Sequence, residues 1–210
     1  MKTVVLLKGA GSEQVDALPQ QLNAQPWSSG AMRIAVHLGM PSPAVPDGPS
    51  IAPVYDAIVE IWSDAPLQID AVNLPGDWDI LDVRVSQEVI GKPAERIAPV
   101  GITPGISQLT FIEKLDGMAR SEAERHWTEH IPLANAIHVG MNRYVQDRLS
   151  PPADGAKPWF GMAHLHFPDE AAMRDGMFTT PEDVSVITAD VGEFVQSYAT
   201  MLAVEHVIKG

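Results

Sequence analysis

Cysteine is absent from the sequence, and basic residues are scarce. Without cysteine there are no disulfides, thiolate metal sites, iron–sulfur clusters or cysteine nucleophiles, and the absence is compatible with the reducing cytoplasm. The 14 Lys and Arg residues face 27 Asp and Glu residues, which gives a formal net charge of −13. This balance argues against binding to nucleic-acid phosphates or anionic membranes, which both favour a surplus of Lys and Arg. We therefore expect a cytoplasmic protein that binds neither nucleic acid nor membranes.

Long apolar runs are also missing, since none approaches the ~20 residues of a membrane span. The run Val4–Leu7 after Lys2 is shorter than the ~7–15 apolar residues of a signal peptide, so we predict a first β-strand there. The apolar fraction of 45% is nevertheless ample for a core. A chain of 210 residues suits one large domain or two domains of about 100 residues each.

Apolar runs with strand-like patterning recur in the same order in the two halves of the chain. Strands are predicted at 3–7, 32–38, 55–62 and 81–90, and again at 109–113, 143–148, 159–167 and 201–208. Helices are predicted from residue 12, over 63–72, from 121, over 169–177 and over 190–198. Apart from the further helical turn at 190–198, each half therefore has the order β-α-β-β-α-β. We expect an N-terminal repeat over 1–92, a Pro- and Gly-rich linker over 93–106, and a C-terminal repeat over 107–210.

The helix predicted to begin at Ser121 carries two signals of its limits. Ser121 followed by Glu124 has the spacing of a capping box, in which the two side chains satisfy free backbone N–H groups. Pro132 is expected to interrupt the helix, because proline lacks the N–H that continues it.

The segment Trp127–Leu133 reads W-x-x-H-x-P-L. It follows a strand with Lys114 and precedes Arg143–Gln146, and this combination resembles the EthD-type branch of the dimeric α/β-barrel superfamily. The third strand of each half, at Tyr55–Asp64 and Phe160–Asp169, is similar in part to the same family's pattern. The resemblance implies an α+β fold: tandem ferredoxin-like repeats whose antiparallel sheets pack as a pseudo-dimeric α/β barrel. Members of this superfamily include cofactor-free lyases, dehydratases, cyclases, isomerases and monooxygenases that act on small, often aromatic molecules.

The two copies depart from that family pattern in different ways. The helix of the first copy has no histidine, so the N-terminal repeat is expected to be a degenerate scaffold. The second copy has His164 and His166 where the family often has Glu and Trp. A single pocket in the C-terminal half is therefore expected.

Histidines are concentrated in this second copy. His126 and His130 are four residues apart on one helix, and His164 and His166 are two apart on one strand, so each pair shares a face. If the helix covers the sheet, the two pairs could meet. Imidazole titrates near neutral pH and can take and return a proton, so His130, His164 and His166 are candidates for general acid/base catalysis.

The remaining pocket residues are chosen by their chemistry. Tyr144 would donate a hydroxyl hydrogen bond as a fourth catalytic residue. Trp127, Phe111 and Met162 would form apolar walls for the substrate, with His126 beside them.

Two alternatives stay open for these residues. The histidines could be structural, with His126 facing solvent and the strand histidines satisfied inside the fold. Four imidazoles could also hold a metal ion, but no carboxylate completes a recognisable signature, so no metal site is assigned. Glu60 on its strand is either a carboxylate of raised pKa or a structural partner of a cation such as Arg33.

The sequence thus predicts a cofactor-independent lyase, dehydratase or isomerase that acts on a small hydrophobic molecule, aromatic ones included. The alternatives are a non-catalytic ligand-binding or accessory protein and a His-ligated, metal-dependent enzyme. Two fused repeats could satisfy the barrel interface within one chain, and whole chains could still pair as a homodimer.

Overall fold

Eight long strands form one closed antiparallel barrel in the computed structural model, which describes residues 1–9, 11–43, 50–65, 67, 74, 77–95 and 99–210. The barrel strands are β1 (Lys2–Lys8), β2 (Arg33–Met40), β5 (Ala57–Trp62), β6 (Asp79–Lys92), β8 (Ile106–Lys114), β9 (Arg143–Leu149), β10 (Gly161–Phe167) and β11 (Val195–Lys209). Around the barrel they follow the order β2-β5-β1-β6-β9-β10-β8-β11, and β11 pairs with β2 to close the ring. The short strands β3 (Ser42–Pro43) and β4 (Ser50–Ile51) pair with each other, and β7 (Gly101–Ile102) pairs with β11.

The two halves of the barrel have the same strand order. The first half runs β6-β1-β5-β2 and the second runs β11-β8-β10-β9, which in both is the fourth, first, third and second strand of that half. Two seams join the halves, one between β6 and β9 and one between β2 and β11. The predicted strands are confirmed, including the first one, which is buried along almost its whole length.

Helices lie outside the barrel: α1 (Ser12–Asn23), α2 (Arg120–Glu129), α3 (Ile131–Ile137), α4 (Glu170–Gly176), α5 (Pro181–Gly192) and a 3₁₀ turn at Pro26–Gly30. Strand alternation divides the core accordingly, because successive side chains point to opposite faces. Val4 and Leu6 belong to the barrel interior, whereas Val5 and Leu7 pack outward with Leu18 of α1. In the second half, an outer apolar layer lies between the sheet and α2, α3 and α5.

The predicted capping box at Ser121 is wrong. Helix α2 begins at Arg120, and its N-cap residue, Ala119, makes no side-chain cap hydrogen bond. Glu124 instead accepts a hydrogen bond of 2.7 Å from Arg120, one turn earlier on the helix. The interruption at Pro132 is confirmed, because α2 ends at Glu129 and Pro132 lies in the first turn of α3.

The predicted helical turn over 190–198 is also wrong. The helix is α5, which ends at Gly192, and strand β11 is under way from Val195. The true start signal is the capping box of Thr180 and Asp183 with Pro181 in the first turn. The helix predicted over 63–72 falls mostly on residues outside the described part of the chain. Within the described part, no helix is long and apolar enough to cross a membrane.

Candidate functional site

An apolar cavity of about 300 Å³ lies between the outer face of the second-half sheet and the helices that cover it. The sheet contributes side chains from β8, β9, β10 and β11, and the cover comes from α2, α3 and α5. This outer pocket is lined mainly by apolar and aromatic side chains, with a few polar groups among them, which is the usual composition of a small-molecule site. Its lining includes Ile112, Trp127, His130, Ala134, His138, Tyr144, Ala163, Leu165, Met177, Ile187, Val191, Phe194 and Thr200.

His130 is held in the outer pocket by a carboxylate. It lies at the junction of α2 and α3, is 7% exposed, and its Nδ1 is 2.6 Å from Oδ2 of Asp190 on α5. A carboxylate accepts hydrogen bonds, so Nδ1 of His130 donates to Asp190, and in the neutral form of such a ring the lone pair is on Nε2. Among the residues that the structure describes, no group hydrogen-bonds to Nε2. The ring is thus oriented as it would be for a general base.

Tyr144 on β9 lies in the same pocket and is 1% exposed. Burial raises its pKa to about 12, although a hydrogen bond from Gln146 works in the opposite direction. The Nε2 group of Gln146 donates to the Tyr144 hydroxyl at 3.0 Å and to the backbone carbonyl of Trp127 at 2.5 Å. The phenol is therefore neutral near pH 7 and keeps a proton that it can donate.

Trp127 forms a wall of the pocket and packs against Phe160 with ring centroids 5.5 Å apart. A Cβ atom at Gly161 would overlap the Trp127 ring, and one at Gly91 would press on the ring of Tyr144. Both rings therefore depend on a neighbouring strand residue that lacks a side chain.

The structure does not bring the four predicted catalytic residues together, which corrects the expected constellation. His130 and Tyr144 face the outer pocket, whereas His164 and His166 point into the barrel. The reason is the register: Leu165 is opposite Tyr144, and His164 is opposite Val145 on the other face of the sheet.

The predicted apolar walls divide in the same way. Trp127 lines the outer pocket, but Phe111 and Met162 belong to the apolar core inside the barrel. His126 is half-buried, lies beside the pocket and stacks on Phe194 with centroids 6.4 Å apart. Sequence reasoning missed Asp190 as the partner of His130, and the signal that could have found it is the Thr180 capping box that starts α5.

A second, polar cavity of about 320 Å³ opens into one end of the barrel. Lys2 at its wall is 2% exposed and lies within 3.3 Å of three carboxylates: Glu60 at 2.5 Å, Asp147 at 2.9 Å and Glu88 at 3.3 Å. This inner cavity contains charged residues that the sequence analysis did not single out as a group.

Glu60 is a structural carboxylate and not one of raised pKa. Burial alone would raise its pKa, but the Lys2 ammonium and the His37 ring together lower it well below the usual range. His37 Nε2 is 3.1 Å from Glu60 Oε2. The cation expected as its partner, Arg33, pairs instead with Glu205 at 3.7 Å.

His164 and His166 are buried inside the barrel in their neutral forms. Burial, assisted by the charge of Arg143, lowers the pKa of His164 well below its usual value and that of His166 to about 4. Arg143 donates to Nε2 of His164 at 3.1 Å, so that nitrogen carries the lone pair. His166 contacts the side-chain oxygen of Asn142 through Nδ1 at 2.8 Å.

The four histidines of the metal alternative do not converge, since two lie outside the barrel and two inside it. A different trio does: the ligand atoms of His37, Glu60 and His164 all lie within 4.8 Å of one another. Lys2 already pairs with the carboxylate, and Arg143 already occupies the lone pair of His164. A divalent ion would have to displace or face both cations, so this trio fits a metal poorly.

Comparisons with known proteins bear on the segment that forms the outer pocket. Residues 115–197 match the EthD domain. The matched segment holds α2, α3 and α5, and with them His130, Tyr144 and Asp190. The resemblance predicted from Trp127–Leu133 is thereby confirmed for this segment. A search of curated protein sequences finds no match.

Solved structures share the fold over nearly the whole chain at low sequence identity. An anthrone oxidase-like protein is 13% identical, with a TM-score of 0.61, over 100% of this chain and 94% of that one. A candidate monooxygenase from Lactobacillus acidophilus NCFM is 12% identical, with a TM-score of 0.51, over 97% and 92%. A major regulator of staphylococcal pathogenesis is 12% identical, with a TM-score of 0.50, over 97% and 98%. The barrel is thus consistent with the dimeric α/β-barrel fold, while the different descriptions of these proteins show that the fold does not fix the function.

Proposed function

We propose that this protein is a cofactor-independent lyase, dehydratase or isomerase that acts on a small hydrophobic, aromatic molecule in the outer pocket. The observation that carries the proposal is the hydrogen bond of 2.6 Å between His130 Nδ1 and Asp190 next to an apolar cavity. A histidine that a carboxylate orients, with its second nitrogen unoccupied, is the standard arrangement of a general base.

The proposed chemistry uses two polar groups of the pocket, His130 and Tyr144. Nε2 of His130 takes a proton from a carbon that is next to a carbonyl group or conjugated with it through a ring, and the electron pair left behind moves onto the carbonyl oxygen. The Tyr144 hydroxyl, neutral because its pKa is raised to about 12, donates a hydrogen bond to that oxygen. His130 then returns the proton at a different atom, which completes an isomerisation, or to a leaving hydroxyl, which completes a dehydration. His164 and His166 take no part in this scheme, because they lie on the other face of the sheet.

Exchange of carbon-bound hydrogen for deuterium tests this proposal without knowledge of the product. Anthrone in D₂O, followed by NMR, reports abstraction of a proton from its ring CH₂ group, which is acidic because it is conjugated with the carbonyl group through the aromatic rings. We expect the wild type to accelerate the exchange and His130→Ala to lose about 10²-fold or more of the acceleration, the usual contribution of a general base. Tyr144→Phe should lose less.

The matched control is His126→Ala, one turn earlier on α2, since His126 lies beside the pocket and not in it. It should retain full exchange, and circular dichroism should show that all variants are folded. Full exchange by His130→Ala would end the proposal.

A binding protein without catalysis is the alternative, which the similarity to a staphylococcal regulator supports at the level of the fold. It predicts saturable binding of anthrone with no acceleration of exchange by any variant. An enzyme that uses oxygen, as the description of the Lactobacillus structure suggests for that protein, would instead consume O₂ in the same assay.

We also propose that the chain arose from two tandem ferredoxin-like repeats, with limits near 1–92 and 107–210. The common strand order of the two halves supports this proposal. The cytoplasmic location and the homodimer stay predictions.

A further inference from the structure

We propose that the inner cavity is a second ligand site, separate from the outer pocket, and that it takes a small organic carboxylate. The cavity gathers Lys2, Arg33, Lys92 and Arg143, four of the 14 basic residues of a chain with a net charge of −13. Glu60, Glu88 and Glu205 line the same cavity, so an anion is favoured only if the carboxylates are already paired and the cations are not fully paired.

The carboxylates around Lys2 already have partners. Glu60 is paired with Lys2 and His37, and the fully buried Asp147 accepts from Lys2 and, at 2.6 Å, from the Ser86 hydroxyl. Glu88 accepts hydrogen bonds from the Trp62 indole at 2.7 Å and from Lys2 at 3.3 Å. These carboxylates therefore do not require a further cation as a partner.

The other three cations, unlike Lys2, are incompletely paired. Arg33 and Arg143 share one carboxylate, Glu205, at 3.7 and 2.8 Å. The Nε groups of both arginines are buried and, within the described part of the chain, have no hydrogen-bond partner. Lys92 donates to the backbone carbonyl of Met141 at 2.6 Å, and the structure gives it no carboxylate partner among the described residues. Buried donors without acceptors cost free energy, and an anionic ligand would supply the acceptors.

The rest of the lining indicates an anion with an apolar body. Trp62, Ile90 and Val145 line the same cavity beside the cations. The guanidinium of Arg33 lies over the Trp62 ring, 5.0 Å from its centroid, which keeps the ring and the charge next to each other. A carboxylate attached to a ring or a short hydrocarbon chain matches this arrangement, whereas inorganic phosphate would leave the apolar wall uncovered.

Calorimetry with benzoate tests the site. Benzamide, which has the same shape without the charge, is the matched neutral probe, and ZnCl₂ alone tests the metal alternative at His37, Glu60 and His164. The variants are Arg33→Met and Lys92→Met, because both residues are partly exposed and neither holds the His164 contact. Arg125→Met on the surface of α2 is the matched charge control, since its only described partner is the exposed Glu129.

We expect benzoate to bind and benzamide to bind at least tenfold more weakly. Arg33→Met and Lys92→Met should each weaken benzoate about tenfold, the usual worth of a hydrogen bond to a charged group. Arg125→Met and His130→Ala should bind benzoate as the wild type does. Three results would each overturn the proposal: no benzoate binding in the millimolar range, binding that His130→Ala abolishes and Arg33→Met does not, or stoichiometric Zn²⁺ binding that His37→Gln removes.

Discussion

Replacing Lys2 with methionine should destabilise the barrel strongly, and more at pH 8 than at pH 5. The Lys2 side chain is 2% exposed and lies between Glu60 and Asp147, whose side chains are 3% and 0% exposed. Methionine has a similar length, so the change removes the charge and little volume. Breaking a buried ion pair by removing one partner costs about 3–5 kcal/mol, because the remaining charges stay buried without a counter-ion. We therefore expect the free energy of unfolding to fall by about 3–5 kcal/mol at pH 8.

The pH dependence follows from the carboxylates that remain. Burial raises the pKa of Asp147 to about 6 even though Lys2 opposes the shift, and without Lys2 it rises further. Glu60 loses the cation that holds its pKa low, so its pKa also rises. A carboxyl whose pKa is higher in the folded than in the unfolded state destabilises the fold by the full amount above its folded pKa. This penalty decreases as the pH falls below that value and is gone below the unfolded pKa. The difference between variant and wild type should accordingly shrink at pH 5.

Urea unfolding followed by circular dichroism, at pH 8 and pH 5, measures both quantities. In a domain of this size about 1 kcal/mol corresponds to ~2–4 °C in Tm, so the melting temperature should fall by roughly 6–20 °C at pH 8. Arg125→Met is the control, because its pair with Glu129 is more than half exposed at both residues and should contribute at most about 1 kcal/mol. A loss below about 1 kcal/mol at pH 8, or an equal loss at both pH values, would refute the reasoning about the buried cluster.

Three further predictions concern single features of the fold. Gly161→Val should destabilise by about 1–3 kcal/mol and shift the tryptophan fluorescence, because the new side chain overlaps Trp127. Thr180→Ala should cost about 1 kcal/mol in urea unfolding by removing a capping box, whereas Ser121→Ala should cost nothing measurable. His166→Asn should reduce the loss of stability in acid. Because the pKa of His166 is lowered to about 4 in the fold, the ring stays neutral there, and the wild type loses stability as the pH falls below the ordinary histidine pKa.

Each of these predictions has a clear contrary result. Unchanged fluorescence and stability at position 161 would mean that Trp127 does not pack there. Equal effects of the two capping variants would mean that α5 has no special start signal. If His166→Asn loses stability in acid as the wild type does, His166 is not the source of the acid sensitivity. His164 would then be the next candidate, because burial lowers its pKa as well.

The strands could be predicted from the sequence because most of them alternate or are continuously apolar between turn signals. The helix predicted over 190–198 is wrong for a local reason. The capping box that starts α5 is at Thr180, about ten residues before the predicted helix. Three residues predicted for the pocket, Trp127, His130 and Tyr144, do line one cavity.

The division of the histidines between two cavities could not be predicted. Alternation shows that His164 and His166 share a face, but all seven residues of β10 are buried, so the pattern does not say which face meets the helices. The inner cavity is harder still, because Lys2, Arg33, Arg143 and Glu205 come from strands that are distant in sequence. Only the closure of the barrel brings them together.

That closure also has a consequence for how the protein folds as it is made. At the seam between β2 and β11, Val36 pairs with His206, roughly 170 residues later in the chain. During synthesis the backbone groups along the open edge of β2 stay unpaired until β11 leaves the ribosome. An unpaired edge is a template for association with other chains. Aggregation and chaperone binding are therefore most favoured while only the first half of the chain has been synthesised. A ribosome-bound chain that stops before β11 should therefore bind chaperones, and the chain that includes β11 should not.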